Sequence, residues 1–486
     1  MNDIRKLEPQ QLWNYFYEIC QIPRPSKKEE KIIAYMEAFG KKNNLETIVD
    51  ETGNVIIRKS ATKGMENRQG VILQAHLDMV PQKNSDKKHD FENDPIEPVI
   101  DGEWVRANGT TLGSDNGIGV AAAMAILASD SIKHGPLEAL FTVDEETGMT
   151  GVRGLKKGLL KGDILMNLDS EDEGELCVGC AGGIDVAVAK TYTEEKTTND
   201  MVAYKVQLRG LKGGHSGVDI ALGRANSNKL MFRFLMHAES DFGIKIAEYS
   251  GGDLRNAIPR ESYVVLTVAG EKSSDFEKLV DSYEKIYKSE FLETEPDLSF
   301  KITKTDLPAK VMEKSDQRKI IRAVFVCPNG VQRMSQAVEG LVETSNNLAI
   351  VKCADGKFEA HNLTRSSVDS AKEATAWKIA AVFHLIDADV SIQGGYPGWK
   401  PNMQSAVLVT LSKVYEKMFG TKPFIQAIHA GLECGILGGT YTNLDMISFG
   451  PTIKHPHSPD EKVNVPSVKK FWDFLVKSLR NIPEKC

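Results

Sequence analysis

Long apolar runs are missing from this sequence. None approaches the ~18 residues that a membrane-spanning helix needs, so no membrane partner is expected. The opening residues, Met1 to Pro9, include acids and lack the apolar stretch of a secretory leader, which predicts a chain that stays in the cytoplasm. Cysteine is sparse. The seven (Cys20, Cys177, Cys180, Cys327, Cys353, Cys434 and Cys486) are odd in number and without framework spacing, and fit a reducing compartment better than a disulfide scaffold. Positive charge is not in excess either. With 60 Lys and Arg against 67 Asp and Glu the formal net charge is -7, and no basic stripe interleaved with aromatics offers a footprint for nucleic acid.

What is present is an ordinary globular composition, 41% hydrophobic and 26% charged, over 486 residues. A single core stops growing near ~250–300 residues, so two or three domains are expected. Residues 7–44 have helical periodicity, with Pro9 and Ser26 as helix starts and Ile32, Ile33, Met36 and Phe39 on one face. Short apolar runs then follow at Val71 to Leu73, Leu137 to Val143, Ile164 to Leu168 and Met446 to Phe449. Helical segments such as Ile118 to Leu127 separate the first three, which reads as a mostly parallel twisted sheet with helices on both faces.

The stretch from Ile184 to Val390 has longer strands with polar alternation (Val202 to Leu208, Tyr263 to Val268, Leu348 to Lys352) and amphipathic helices such as Asp275 to Phe291. It reads as an inserted α+β domain, and the Gly394-Gly395-Tyr396-Pro397-Gly398 run after it as a hinge. The expected division is a discontinuous α/β domain of residues 1–186 and 393–486, with the insert at 187–392. One cysteine pair, Cys177 and Cys180, has the C-x-x-C spacing of a metal or redox motif. A thiolate site wants a second pair, however, and Leu176-Cys177-Val178 reads as a short buried strand.

The chemistry gathers where predicted strands end. Val71 to Ala75 runs into His76 and Asp78, Leu140 to Val143 into Asp144, Glu145 and Glu146, Ile164 to Leu168 into Asp169, and Met446 to Phe449 into a loop with His455 and His457. Asp115 sits at the start of the predicted helix Ile118 to Leu127. In an open α/β sheet the carboxyl ends of the strands are where ligands bind. Taken singly, each group has an ordinary structural reading: Asp115 as a helix cap, Asp169 in a solvated acidic turn, His76 as a core histidine, Glu145 and Glu146 as a surface loop. At one sheet edge, two histidines and three or four carboxylates would destabilise each other unless cations sat between them.

Imidazole and carboxylate ligands without clustered thiolates suit zinc, manganese or cobalt. Two close ions need about five ligands, one of them bridging, which is the number on offer. Such a pair generates hydroxide near neutral pH and polarises a carbonyl, as amide hydrolysis requires, and Glu145 beside the ligand-type Glu146 is placed to be the general base.

Six elements resemble one known family: Ala75-His76-Leu77-Asp78-Met79-Val80, Gly113-Ser114-Asp115-Asn116-Gly117, Asp144-Glu145-Glu146-Thr147-Gly148, Asn167-Leu168-Asp169, Gly213-Gly214-His215-Ser216-Gly217 and His457-Ser458-Pro459-Asp460-Glu461. They look like those of the co-catalytic zinc peptidases that include carboxypeptidase G and the carnosinases. Within that family the length, the long insert and Asn256-Ala257-Ile258-Pro259-Arg260 most resemble the bacterial aminoacyl-histidine dipeptidases.

The resemblance implies that His76 and Asp169 hold one metal, that Glu146 and His457 hold the other, and that Asp115 bridges them. It makes Glu145 the base, Asp78 the carboxylate that orients His76, and His215 the histidine that a closing lid brings to the oxyanion. Asn256 and Arg365 are candidates for gripping the substrate's polar ends. Glu433, one predicted helical turn after His429, is a candidate for touching its amine, with a structural role as the alternative. His457 is preferred to His455 because the His-Ser-Pro-Asp-Glu run carries the resemblance. His89, His134, His237, His361 and His384 are read as structural or surface residues.

The expected activity is hydrolysis of small dipeptides, of the Xaa-His (carnosine) type, by a metal-bridging water with Glu145 as base. The cofactors are two divalent ions, zinc with manganese or cobalt as alternatives. A tripeptidase or an N-acyl amino-acid deacylase with the same site is the nearest alternative. A non-catalytic scaffold would be expected to have lost a ligand or the base, and every position here holds a competent residue. Besides the dipeptide, the expected partner is a second copy of the chain in a homodimer.

Overall fold

The computed structural model describes residues 3–485, so Met1, Asn2 and Cys486 lie outside the described residues. The chain divides into two compact units. The first comprises the residues up to Gly179, Pro401–Ala427 and the residues from Leu432 onward; the second comprises Cys180–Lys400 with Ile428–Gly431. The division falls at Gly179/Cys180 and Lys400/Pro401 because strands Gly182–Thr191 and Asp389–Tyr396 pair with each other in the sheet of the second unit.

In the first unit the strand order is Glu46–Val49, Val55–Lys59, Leu137–Thr142, Val71–His76, Ile164–Asn167, Asp445–Ser448, Glu175–Cys180 and Phe424–Ile428. The four from Leu137–Thr142 to Asp445–Ser448 run parallel and are buried along almost their whole length. Burial on both faces is why they read as unbroken apolar runs instead of alternating ones. Helix Ser114–Leu127 is buried from end to end, and its small residues Gly117, Gly119, Ala121 and Ala122 allow close packing by helix Gln10–Cys20 and strand Val71–His76. Helix Gln10–Cys20 sends Trp13, Phe16 and Ile19 into the same core.

The parallel strands all finish at one edge, so the residues that follow them come together there. A second, four-stranded sheet (Ile453–Lys454, Lys462–Asn464, Trp104–Ala107, Pro98–Asp101) contains an antiparallel hairpin whose loop carries His455, His457 and Glu461.

The second unit is α+β. Its antiparallel sheet has the order Ser299–Lys304, Met201–Arg209, Ser262–Ala269, Lys245–Gly251, Val342–Ala354, Lys357–Ser366, Gly182–Thr191 and Asp389–Tyr396, with Gly330–Met334 also paired to Val342–Ala354. Helices Ser227–Phe242, Ser273–Glu290, Lys314–Val326 and Asp369–His384 contribute to its core. Within it the Phe234 ring lies 6.0, 5.3 and 5.1 Å from those of Phe276, Tyr283 and Phe300.

Two local expectations change, and the reading of the cysteine pair as a buried strand holds. The helix expected from Ser26 spans Glu30–Lys42, because Lys27 takes a positive φ of 69° and Lys28 closes a turn onto Pro25. Gly394 and Gly395, in the run read as a hinge, lie in the edge strand Asp389–Tyr396, where the register shifts between Gln393 and Tyr396, a bulge that an edge strand tolerates. Cys177 and Cys180 lie on one buried strand, Glu175–Cys180, where residues three apart point to opposite faces and cannot converge on one ion. Among the described residues no helix is long and apolar enough to cross a membrane.

Phe276 is wholly buried among aromatic rings. Phe276→Ala is expected to cost about 3–5 kcal/mol in denaturant unfolding of the second unit. A loss below about 1 kcal/mol would show that this ring cluster does not anchor the unit.

Candidate active site

His76 is the last residue of its strand. Asp115 lies in the first turn of Ser114–Leu127, where Asp115 and Asn116 are non-helical and the peptide between them is cis. After strand Leu137–Thr142 the chain turns sharply at Asp144, whose φ of 52° is left-handed. The hydroxyls of Thr147 and of Thr150, the latter at 2.6 Å, bond its carboxylate and hold that turn, from which Glu145 and Glu146 project. Asp169 follows Ile164–Asn167, and His457, also left-handed at φ 60°, lies on the hairpin loop.

These groups converge. Asp115 presents one oxygen to each imidazole: Oδ1 lies 3.1 Å from His76 Nε2 and Oδ2 lies 3.2 Å from His457 Nε2. His76 Nε2 is also 3.4 Å from Asp169 Oδ1, and His457 Nε2 is 3.0 Å from Glu146 Oε2. His76, Asp115 and Asp169 each offer a ligand atom within 4.8 Å of the others; so do Asp115, Glu146 and His457, and the two triads share Asp115.

Asp78 holds the arrangement from behind. It sits by His76 Nδ1, with Oδ1 at 3.3 Å and its carbonyl oxygen at 3.2 Å, and its two carboxylate oxygens accept the N–H groups of Glu145 at 3.0 Å and Glu146 at 3.2 Å. One buried carboxylate thereby fixes both an imidazole and the acidic turn.

The residues fit a pair of cations. Four carboxylates face two imidazoles, and Glu146 Oε1 is buried without a hydrogen-bonding partner among the described residues. Burial would lower the His76 pKa, but the carboxylates of Asp169, Asp115 and Asp78 hold it well above the ordinary histidine value. Hydrogen bonds that His457 donates to the carboxylates of Asp115 and Glu146 push it up to about 11. Burial would raise Asp115, yet the bonds from His457 and His76 keep it well below the usual carboxylate range. Burial raises Asp169 to about 6 and Glu145 well above an ordinary glutamate, with the charges of Asp169, Glu433 and Glu146 adding to the effect on Glu145. The cluster draws in positive charge strongly, whether as protons on the imidazoles or as cations shared among the carboxylates.

In the second unit, His215 belongs to the short pair Gly214–His215 with Ala257–Ile258, and Asn256 is exposed beside it, its carbonyl accepting the Ser216 N–H at 2.8 Å. His215 Nδ1 accepts the N–H groups of Gly217 at 3.2 Å and Val218 at 3.1 Å, which assigns the proton of the neutral ring to Nε2. That Nε2 lies 3.4 Å from Arg365 Nη2, so two donors face one spot. Burial, then the charge of Arg365, lowers His215 below the ordinary histidine value. Arg365 is itself buried; Nη1 donates to the Tyr396 hydroxyl at 3.2 Å, and Nε has no partner among the described residues. A buried guanidinium in this state has a donor to spare for an oxygen acceptor.

His455 is exposed, its carbonyl accepts the Ser458 hydroxyl, and among the described residues it joins none of the groups that could hold a metal, whereas His457 does. His429 and Glu433 do not share a helix. The strand Phe424–Ile428 ends before His429 and the next helix, Glu433–Thr440, begins at Glu433. His429 Nε2 meets the Ser345 hydroxyl at 2.7 Å in the second unit. Glu433 is wholly buried in the first, where Oε2 accepts from Gln74 at 2.6 Å and Thr142 at 2.7 Å. Arg24 belongs to no motif and Glu461 only closes the His457 run, yet both are buried against the Asp115 loop. Only the glycines at 113 and 117 hinted at something large packed there.

Residues 72–481 match peptidase family M20/M25/M40. The chain belongs to this family. It is 45% identical over 485 residues, all of both chains, to the cytosol non-specific dipeptidase of Escherichia coli (strain K12). Its structure matches that of aminoacylhistidine dipeptidase from Vibrio alginolyticus with a TM-score of 0.95 and 48% identity over 99% of each chain. Aminopeptidase PepT from Bacillus cereus shares the fold, at a TM-score of 0.57 and 16% identity over 98% of this chain and 99% of that one. The chain is thus an M20 metallopeptidase with an α/β catalytic fold and an inserted α+β unit, as its sequence led us to expect.

Burial pushes Glu433 up to about 8, from an ordinary 4.5. A carboxyl raised on folding costs stability as pH climbs from its unfolded to its folded value. Glu433→Gln removes that slope, so thermal melting of chelator-treated protein from about pH 5 to about pH 8 is expected to show the variant gaining on the wild type as pH rises. A constant offset would mean that Glu433 stays ionised in the fold.

Proposed function

We propose that this M20 metallopeptidase hydrolyses dipeptides, Xaa-His pairs among them, in the cytosol, with two divalent ions held by His76, Asp115, Glu146, Asp169 and His457. The observation that carries this reading is Asp115, whose two oxygens each face a different imidazole and belong to two ligand triads at once. The ions, zinc or alternatively manganese or cobalt, supply when bound the positive charge that polarises a carbonyl and acidifies water.

The chain supplies the rest. Glu145 takes the proton of the attacking water and later delivers it to the leaving amine. Burial suits it to this, since a carboxyl lifted towards neutrality both accepts and releases a proton readily. Asp78 keeps the Glu145 backbone and the His76 ring in place. In the inserted unit, His215 offers Nε2–H to the developing oxyanion, Arg365 receives the substrate carboxylate, and Asn256 contributes a polar contact.

The dipeptide reading draws on the Escherichia coli and Vibrio alginolyticus relatives, each similar over the whole chain. The word cytosol in the name of the first supports the compartment. The same two names, non-specific and aminoacylhistidine, favour a range of dipeptides that includes the Xaa-His class.

Chelator-stripped protein given zinc, manganese or cobalt is expected to regain cleavage of carnosine, other Xaa-His and Xaa-Xaa dipeptides. Restored cleavage of tripeptides or N-acyl amino acids alone would move the substrate. No cleavage with any metal would overturn the reading. Glu145→Ala is expected to keep both ions while turnover falls by roughly 10²–10⁴-fold. Asp115→Ala is expected to lose metal as well, measured by elemental analysis of the dialysed protein.

A further inference from the structure

Two buried charges beside the ligand cluster are unused by the chemistry above. Glu461, 2% exposed, sits on the same hairpin loop as His457. Its Oε2 accepts the N–H groups of Leu112 at 2.8 Å and Gly113 at 3.0 Å; its Oε1 accepts those of Ser114 at 2.7 Å and Asp115 at 3.3 Å, and the Ser114 hydroxyl at 2.6 Å. Four successive amides of the Asp115 loop therefore close on one carboxylate from the His457 loop.

Arg24, also 2% exposed, approaches from the other side. Its Nη1 donates to the carbonyls of Leu77 at 2.8 Å and Asp78 at 2.9 Å, and its Nη2 to the carbonyl of Gly113 at 2.5 Å. Gly113 thus donates its N–H to Glu461 while its C=O accepts from Arg24. The guanidinium fits only because of two glycines: a Cβ at Gly113 would lie 2.5 Å from Nη2, and one at Gly117 would lie 2.8 Å from it.

The pair joins the loops that carry His76, Asp115 and His457. A buried pair of charges is a poor way to gain stability, since apolar groups of like volume often serve as well, but its directed bonds fix geometry. We propose that Arg24 and Glu461 are positioning residues, a clamp that sets Asp115 between the two histidines and thereby the affinity of the site for its ions. This rests on the ligand set proposed above. Glu461 acts on Asp115 and His457 together, so the ion shared with Glu146 depends on it more than the ion shared with Asp169.

The test is titration of chelator-stripped full-length protein with Co²⁺ alone, read by visible absorption and calorimetry, with apo thermal melting measured alongside. Glu461→Gln turns an amide group towards donors and cannot accept them all. It is expected to weaken at least one cobalt step by roughly 10- to 100-fold and to shift the cobalt bands. Arg24→Lys keeps the charge but loses the fork; it is expected to act in the same direction, and it serves should the glutamine variant fail to fold.

A lower apo melting temperature with wild-type cobalt affinity and spectrum in a folded variant would make the pair merely structural and overturn the clamp. Asp115→Ala separates the two ideas. Cobalt lost there and unchanged in Glu461→Gln and Arg24→Lys overturns the clamp alone, whereas cobalt unchanged in Asp115→Ala overturns the ligand set as well.

Discussion

Carboxylates buried together at the end of a parallel sheet repel each other, and in a medium that screens poorly the repulsion is several times stronger than in water. The first unit is organised around that constraint. Among the described residues, Asp115, Asp169, Glu145 and Glu146 lie within reach of two imidazoles, and Glu171 nearby is pushed up to about 8, by burial and then by the charges of Asp115 and Asp169. A fold that gathers strand ends at one edge produces the crowding, and the crowding draws in cations.

The carboxylates farther from the centre meet the same difficulty differently. Asp78 takes two backbone N–H groups, Glu461 takes four and a hydroxyl, Glu29 takes those of Lys27 and Asp144, and Asp144 takes two threonine hydroxyls. Peptide dipoles and hydroxyls supply most of what these groups accept. The contrast is one of degree: acids bonded by several amides hold loops, and Asp115, Asp169 and Glu146 are left chiefly facing each other and the imidazoles.

Much of this could be read in advance. A fully buried parallel strand must be apolar, so a polar residue at its end stands out, and His76, Asp144 and Asp169 were visible for that reason. His457 was separable from His455 by the residues around it, and the structure places only His457 against Asp115 and Glu146. Arg24 was hidden because its partners are backbone carbonyls, which leave no pattern in side-chain identity, and because it is 89 residues from Gly113 in sequence. The His429–Glu433 spacing misled for a related reason. A four-residue interval signals a shared helix face only inside a helix, and here the helix begins at the second of the two. The Gly394 run read as a hinge because glycines mark both flexible loops and edge-strand bulges.

Gln74 and Asn167, two places before the proposed ligands His76 and Asp169, point to the same face of the sheet as those ligands. With Thr142 and Ser448 on the neighbouring strands they make a layer that is polar although it lies in the core. Gln74 bonds Asn167 and Glu433, Thr142 also bonds Glu433, and Ser448 bonds Asn167 at 2.5 Å and Ser170 at 2.7 Å. Gln74 and Asn167 are paired in register, as are Asn167 and Ser448. An apolar layer would pack there without the cost of satisfying each polar atom, but apolar contacts are non-directional and tolerate small slips between strands. Directed bonds across three neighbouring strands do not, and a slip of one residue would carry His76 or Asp169 to the opposite face. The polar row beneath the site thus does for the strands what Arg24 and Glu461 do for the loops: each trades some stability for the fixed spacing that a pair of shared ions requires.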